Sequence, residues 1–442
     1  MNALINSIIA VYPIIIVGLF VFCLLIALPR YFLTGFGMRP EKPFLRTLLY
    51  RRSLAPYKNE TSIANILKTV IIAFILSRAL IWLIGLLGYA LNDNISGYLN
   101  RQSFIWKQWD APHYLGIAEN GYVTEGDARY HIVFYPLYPF LVRLFSYVTG
   151  NTAFSAYFLS NLFLILSGFM LFRFVEYTYG VSTAKWTVWI FMFSPCGMFF
   201  SIPYTESLFF LLTISSVYFA RKHEFTIALI LGALSSFTRM PGVICAVPIF
   251  YEMLRSRRRS IRSIADKQEK ILTGIRCTAV SFAKCLFVLA GLIGYLAVNQ
   301  IITGDPFTFL VHQKEHWHQT MGSIYNTASY TIKYLFYPNV DWYQYGIWIP
   351  QTACLLLTLI LMAFNARKLR PGDIAYSVVY FFVVISPTML LSGSRYLLTM
   401  YPIFPMLANA MKNKYARIIT FILYLAFYLY AVWMYTVEHI FL

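Results

Sequence analysis

The sequence ILKTVIIAFILSRALIWLIGLLGYAL, residues 66 to 91, contains only two charged side chains, Lys68 and Arg78. A helix of about 20 apolar residues is long enough to cross a bilayer core. This stretch therefore predicts a membrane-spanning helix, and residues Ile8 to Leu28 predict another. Over 442 residues, 59% are hydrophobic and 12% are charged, and the mean hydropathy is +0.61. The whole chain is predicted to be an all-α, polytopic integral membrane bundle.

Outward from that helix, apolar stretches alternate with short basic connections. We expect about 12 transmembrane helices, and residues 135–150, which are too short to cross easily, form a re-entrant or interfacial segment. The stretch 225–254 is too long for one span and is divided at Pro241-Gly242 into two short spans. The other predicted spans are 153–174, 184–202, one from Thr205, 279–302, 346–364, 374–391, 396–411 and 418–437.

Two segments of the chain are expected to differ in role. Residues 1–60 hold the first helix, read as retained rather than cleaved, and a basic cytoplasmic segment. Residues 61–442 form a catalytic membrane domain with outer loops at 92–135 and 303–345. The net charge of +18 is concentrated in short connections, as the positive-inside rule predicts, so membrane lipids are expected partners and nucleic acid is not. The six cysteines form no CxxC pair and indicate packing residues.

The segment after the 66–91 helix is unusually acidic for this chain. Residues 104–139 read FIWKQWDAPHYLGIAENGYVTEGDARYHIVFYPLYP. A carboxylate such as Asp110 beside an apolar bundle suits a general base or a charge stabiliser. It also suits the cap of a short interfacial helix whose aromatic neighbours, Trp109 and Tyr122 among them, form a membrane-interface belt. Both interpretations of Asp110 stand at this point.

Other charged residues are expected on the same outer face. Glu206 follows Pro203 in the first turn of a helix, where it either caps the helix or contacts a substrate. Arg239 and Arg395 fall outside against the usual charge bias and are candidate anion ligands. His312 and His316 share a helix face, and we favour sugar or interface contact over a metal for them. Arg78, inside a span, is either functional or paired with a carbonyl.

Several motifs resemble those of the GPI mannosyltransferase 2 family, within the GT-C superfamily of polytopic glycosyltransferases. WDAPHYLGIAENGY from Trp109 is followed by FYPLYP from Phe134. Further matches, in the order of the family, are SPCGMFFSIPYTESLFFLL from Ser194, ALSSFTRMPG from Ala233, SRYLLTMYPIFP from Ser394 and, more weakly, GDPFTFLVHQKEHW from Gly304. We interpret the chain as a prokaryotic-type relative with an additional N-terminal span.

The resemblance implies a membrane glycosyltransferase that moves a sugar, mannose by analogy, from a polyprenyl-phosphate donor with inversion. Carried onto this chain, the essential acid of the first outer loop is Asp110, and His113 matches the family's histidine position, so both are catalytic candidates. Arg239 and Arg395 would bind the lipid phosphate. The remaining substrate-binding candidates are Trp109, Tyr122, Glu206 and His316.

The expected partners are a polyprenyl-phosphate sugar donor and a lipid or glycan acceptor. Neither a metal nor another cofactor is required, because arginine and histidine can neutralise a leaving phosphate. We expect the cell membrane, or alternatively the endoplasmic reticulum membrane, with the active face non-cytoplasmic. A transporter or flippase of polyprenyl-linked sugars is the main alternative, although it should show two related halves. A structural subunit that lost catalysis is a weaker one.

Overall fold

The computed structural model describes residues 2–38, 61–91, 105–337, 343–411 and 413–437. Within these ranges the regular structure is helical, and the β pairing is a single isolated bridge between Met321 and Pro387. The predicted all-α bundle is confirmed. In chain order the α-helices are α1 (Asn2–Gly35), α2 (Ile63–Leu91), α3 (Ala111–Asn120), α4 (Leu137–Thr149), α5 (Thr152–Tyr179), α6 (Val181–Met192), α7 (Glu206–Arg221), α8 (Phe225–Thr238), α9 (Ala246–Ser263), α10 (Lys267–Cys285), α11 (Ala290–Thr303), α12 (Thr308–Glu315), α13 (Ile324–Leu335), α14 (Ile349–Asn365), α15 (Pro371–Ile385), α16 (Gly393–Leu398), α17 (Ile403–Ala410) and α18 (Lys414–Thr436).

Six helical segments in the described ranges are long and apolar enough to cross a membrane, so the predicted count of about twelve is not confirmed. The predicted span 184–202 overlaps α6, which ends at Met192, and then includes a 3-10 turn. The predicted span 396–411 divides between α16 and α17. Most residues of both stretches are buried inside the bundle, and apolar composition cannot distinguish burial in protein from burial in lipid. The six segments are Leu4–Gly35, Ile63–Leu91, Thr152–Tyr179, Lys267–Thr303, Gln344–Asn365 and Lys414–Thr436.

A bent pair of helices follows the acidic stretch. The 3-10 helix Asp127–Val133 and α4 meet at 112°. Pro136 lies at the start of α4, where a residue with a fixed φ and no backbone N–H is well tolerated. If the pair is one span, the number of possible spans rises to seven. A sharp bend of this kind is what a re-entrant or broken segment shows.

The predicted break at Pro241-Gly242 is confirmed. Helix α8 ends at Thr238, a 3-10 turn covers Met240–Cys245, and α9 begins at Ala246. At Gly242 any Cβ would overlap the backbone of Ser235 and Ser236 in α8. The turn therefore packs directly on α8, and this close approach fixes the position of Arg239 between the two helices.

Arg78 of α2 binds the backbone that follows α6. Its guanidinium donates to the carbonyl oxygens of Gly197 at 2.8 Å and Met192 at 3.0 Å, and also to the Ser201 hydroxyl. The Met192 carbonyl lies at the C-terminal end of α6, where acceptors lack partners within the helix. Of the two interpretations of Arg78, the pairing with carbonyls is the one that the structure supports.

Helix α1 is built into the bundle rather than standing beside it. It packs against α9, α13, α14 and α15, and the Tyr12 hydroxyl donates to the Thr352 carbonyl oxygen at 2.9 Å. Arg30, which is 4% exposed, donates to the carbonyl oxygen of Ala366 and, at 3.3 Å each, to those of Arg367 and Leu369. Arg30 thus caps the C-terminal end of α14.

The two predicted outer loops contact each other where they are described. Helix α12 packs against the 3-10 helix Asp127–Val133. In addition, the Tyr295 hydroxyl of α11, just before the second loop, donates to the Ile132 carbonyl oxygen at 2.8 Å. Parts of the loops predicted at 92–135 and 303–345, namely 92–104 and 338–342, lie outside the described residues. So does most of the basic segment before residue 60.

Replacing Arg78 by glutamine should lower the free energy of unfolding by about 3 kcal/mol, because buried carbonyls would lose charge-assisted donors. Equilibrium unfolding in mixed micelles measures this. The matched control is Arg143→Gln on α4, an exposed arginine that bonds to Tyr147, for which we expect a change within about 0.5 kcal/mol. Equal effects of the two substitutions would contradict the role of Arg78 as a cap.

Candidate functional site

Four charged side chains from four separate segments meet at one end of the bundle. Asp110 precedes α3, Glu206 is the first residue of α7, Arg239 follows α8, and Arg395 lies in α16. Each of these four residues therefore lies next to the end of a helix or in a short helix, where the chain changes direction. The structure brings together four of the residues selected from the sequence.

Their charges alternate along a continuous chain of ion pairs. Arg395 Nη2 lies 2.8 Å from Asp110 Oδ2, and Arg395 Nε lies 3.3 Å from Glu206 Oε1. Arg239 Nη1 lies 2.6 Å from the same Glu206 oxygen. Two carboxylates and two guanidiniums thus compensate one another in a site where an uncompensated charge would be costly.

The exposure of the four side chains differs along this chain. The inner members, Arg395 and Glu206, are 4% and 1% exposed, whereas the outer members, Asp110 and Arg239, are 26% and 16% exposed. Among the described residues, Asp110 Oδ1 has no hydrogen-bond partner. A ligand can therefore reach the Asp110 carboxylate at one end of the chain of ion pairs and the Arg239 guanidinium at the other. The buried Glu206 carboxylate pairs with both arginines.

Aromatic rings surround the guanidiniums. The Tyr396 ring lies 5.0 Å from the guanidinium carbon of Arg239 and 5.0 Å from that of Arg395. Tyr204 and Phe199 approach Arg395 at 5.1 and 5.3 Å. The negative faces of aromatic rings attract cations, so these rings hold the guanidiniums in place without adding a further carboxylate.

The Tyr204 hydroxyl joins the Trp109-Asp110 turn to the segment before α7. It accepts a hydrogen bond from the Asp110 backbone N–H at 3.0 Å and donates to the Gln108 carbonyl oxygen at 3.0 Å. Between them, Trp109 has a φ of 58°, a left-handed conformation that costs a residue other than glycine about 1–3 kcal/mol. Tyr204 therefore stabilises the strained turn that presents Asp110.

Several buried polar atoms of the site have no hydrogen-bond partner within the described protein. They are Trp109 Nε1, Arg395 Nη1 and Glu206 Oε2. Buried donors and acceptors are almost always paired in folded proteins, and exceptions cluster at functional sites. Their concentration around Asp110 marks this end of the bundle as a polar site for a ligand.

A second group, of histidines and aromatic residues, lies beside the ion-pair chain. His113 Nδ1 is 2.9 Å from His131 Nε2, and the His113 ring stacks on Phe134 at 5.0 Å. Trp317 contacts Phe134 edge-on at 5.8 Å. Both predicted outer loops contribute to this group, which forms one wall of the site.

His316 belongs to the same wall. Its ring stacks on Tyr130 at 4.3 Å with an interplanar angle of 17°, and Trp317 packs against it edge-on. His312, one helical turn earlier, also contacts Tyr130. In the part of the chain that the structure describes, no group of three or more His, Cys, Asp or Glu side chains is arranged to hold a metal ion.

Burial lowers the pKa of His113 below its ordinary value of 6.5, although the Asp110 carboxylate acts in the opposite direction. Nearby His316 lowers the pKa of His113 further. At neutral pH His113 is therefore an uncharged imidazole, with one nitrogen engaged by His131. In that form it can exchange hydrogen bonds as donor or acceptor without adding charge to the site.

Tyr122 has a different position from the one expected of a substrate ligand. Its hydroxyl donates to the Phe134 carbonyl oxygen at 2.6 Å, and burial raises its pKa. The contact joins the two ends of the loop that follows α3. Tyr122 thus positions Phe134 under His113, and its hydroxyl proton is already used within the protein.

Sequence reasoning did not select Tyr204, Tyr396 or Trp317, and it placed His131 on the outer face without giving it a role. Tyr204 and Tyr396 lie inside two of the quoted motifs, within two residues of Glu206 and Arg395, so a search of the neighbours of each charged candidate would have found them. His131 and Trp317 carry no such local signal, because their contact with His113 depends on how the two loops pack.

Comparison with known proteins agrees with this site. Residues 87–302 match the sequence family described as Mannosyltransferase (PIG-V). The protein named GPI mannosyltransferase 2 from Aspergillus fumigatus is 24% identical over 338 residues, which cover 68% of each chain. No solved structure matches the chain.

The helical bundle, its membrane-spanning segments and this family match define a multi-pass membrane glycosyltransferase. The chain is similar to the PIG-V mannosyltransferases over residues 87–302 and to GPI mannosyltransferase 2 over 68% of its length. The matched region contains Asp110, Glu206 and Arg239, whereas Arg395 lies beyond it and reaches the same site through the fold. Similarity to an enzyme family favours catalysis over the transporter alternative.

Replacing Tyr204 by phenylalanine should lower the rate of sugar transfer at saturating substrate about tenfold, because the Trp109-Asp110 turn loses both of its bonds to the hydroxyl. KM should change little. Steady-state kinetics on the purified enzyme measures both. The matched control is Tyr376→Phe, since the buried Tyr376 hydroxyl has no hydrogen-bond partner in the described protein. A rate unchanged in Tyr204→Phe, or lowered equally in both variants, would contradict this role.

The free energy of unfolding should fall as the pH drops below about 6.5, because the unfolded chain then protonates a histidine that the folded site keeps neutral. The loss continues until the lowered pKa of folded His113 is reached. His113→Gln removes this proton uptake, so its unfolding curve should depend less on pH. Unfolding measured between about pH 5 and 7.5 checks this, and an identical slope in both proteins would contradict it.

Proposed function

We propose that this enzyme transfers mannose from a polyprenyl-phosphate donor to a hydroxyl group of a glycolipid or cell-surface acceptor, with inversion, at the non-cytoplasmic face of its membrane. The observation that carries the proposal is the alternating chain from Asp110 through Arg395 and Glu206 to Arg239, with its two outer members accessible. It supplies a carboxylate and a guanidinium at opposite ends of one site.

An inverting transfer needs those groups on opposite sides of the sugar. The acceptor oxygen attacks the anomeric carbon from one face while the bond to the phosphate oxygen breaks on the other. Asp110 takes the acceptor proton through its accessible carboxylate oxygen, and the phosphate leaves towards Arg239.

The leaving phosphate gains negative charge as the bond breaks. Guanidinium groups held in place beforehand stabilise that charge in a low-dielectric site. Arg239 is the accessible phosphate ligand, and Arg395 supports it through the unpartnered Nη1 and orients Asp110 through Nη2. Glu206, almost completely buried, is a positioning residue for both arginines rather than a substrate contact.

The wall of histidines and aromatic rings suits the acceptor. An aromatic ring such as that of Trp317 can pack on the apolar face of a sugar, and neutral imidazoles can bond to its hydroxyl groups. His113 lies between this wall and Asp110, so it can hold the attacking hydroxyl while Asp110 accepts its proton. Trp109 Nε1 offers a further buried donor.

Replacing Asp110 by asparagine should reduce sugar transfer by about 100-fold or more, because the amide cannot accept the proton. The amide oxygen can still accept from Arg395, so the fold should persist. Transfer of radiolabelled mannose from polyprenyl-phosphate mannose to a lipid extract of the source membranes measures the activity of purified protein in detergent.

The matched control is Asp127→Asn, an exposed acid of the same loop, which should keep nearly full activity. Equal product from wild type and Asp110→Asn would exclude Asp110 as the base. Product from neither protein, with donor bound by both, would contradict mannosyl transfer to these acceptors and favour the transporter alternative.

A further inference from the structure

The opposite end of α7 carries a second charged cluster that the catalytic proposal does not use. Glu206 is the first residue of α7 and Arg221 is the last. At a rise of about 1.5 Å per residue, the two residues lie about 22 Å apart. The second cluster therefore lies at the other end of α7 from the site that contains Asp110.

This cluster surrounds a cavity of about 270 Å³. Four arginines line it, contributed by α7, α9 and the residue before α15, and Tyr177 and His223 complete much of the wall. The arginines are Arg221, Arg255, Arg258 and Arg370.

Two buried acids neutralise only part of this charge. Glu252 accepts hydrogen bonds from Arg370 at 2.9 Å through Oε1 and from Arg255 at 3.1 Å through Oε2. Asp373 pairs with Arg221 and also accepts from the hydroxyls of Tyr401 and Tyr179. Both carboxylates are thus paired with groups of the protein. Because four arginines line the cavity and two acids pair with them, two positive charges remain in excess around the cavity.

Further observations point from the cavity to a ligand. Arg221, whose side chain is 1% exposed, has an Nε with no hydrogen-bond partner, although Glu252 lies 3.8 Å away. His223 on the cavity wall has a φ of 65°, a left-handed conformation that glycine adopts at much lower cost. Keeping a histidine there is unfavourable for the backbone alone, and His223 lines the same cavity as the arginines.

We propose that this cavity binds a phosphate-carrying anion, either the headgroup of an anionic phospholipid or a free phosphate. Guanidiniums match phosphate oxygens with parallel charge-assisted hydrogen bonds, and basic pockets between membrane helices bind phosphorylated headgroups. The site is separate from the catalytic one and does not depend on the proposed sugar transfer.

Calorimetric titration of the full-length protein in detergent tests the proposal with three probes, namely inorganic phosphate, dihexanoyl phosphatidic acid and zwitterionic dihexanoyl phosphatidylcholine. We expect the second probe to bind and the third not to bind. Binding of inorganic phosphate as well would identify the phosphate group as sufficient, whereas its failure would identify a lipid headgroup as the ligand. If neither inorganic phosphate nor dihexanoyl phosphatidic acid binds, the proposal is wrong.

Two variants locate the site. Arg255→Gln/Arg258→Gln leaves Arg221 and Arg370 to pair with the buried acids, and it should raise the dissociation constant about tenfold or more. His223→Gly removes the imidazole from a residue of the cavity wall, so it should weaken binding. Because glycine adopts a left-handed conformation at low cost, the substitution should not lower thermal stability. A merely structural role for His223 would leave binding unchanged.

The matched control is Arg257→Gln/Arg276→Gln, which removes the same charge from the same basic region outside the cavity wall. It should keep the wild-type affinity. An equal loss of affinity in the control would show diffuse attraction to a basic surface, and it would overturn the proposal of a defined site.

Discussion

The structure depends on the requirement that no charge be left alone inside an apolar bundle. Glu206 is nearly inaccessible to solvent and would be unstable without the guanidiniums of Arg239 and Arg395. Those arginines in turn come from two other segments, Arg239 from the turn after α8 and Arg395 from α16. Pairing the charges therefore also assembles the ends of several helices, and the same interactions that permit burial define the shape of the site.

This constraint explains why some features could be predicted from the sequence. A carboxylate or guanidinium in an apolar chain has few acceptable locations, so selecting Asp110, Glu206, Arg239 and Arg395 by type and predicted side was enough to find residues that meet. The break at Pro241-Gly242 was equally visible, because proline and glycine limit the backbone locally. In both cases the residue types and their immediate neighbours in the sequence are enough for the prediction.

Other features depend on contacts between distant segments and could not be predicted in the same way. The 184–202 and 396–411 stretches are as apolar as true spans, yet they fold into short pieces buried by their neighbours. Arg78 could be recognised as costly, but its carbonyl partners follow only from the packing of α2 beside α6. Tyr204 and Tyr396 are two tyrosines among thirty-four, and their roles follow only from the groups that they contact.

The cap that Arg30 places on the end of α14 connects residues 336 positions apart in the chain. A membrane protein is synthesised and inserted from its N-terminus, so α1 reaches the bilayer long before its carbonyl partners exist. Until α14 is in place, the Arg30 guanidinium has to stay at the headgroup boundary, where water can solvate it. Biogenesis therefore cannot proceed simply as a series of neighbouring hairpins: α1 takes its final position only after most of the chain has been inserted.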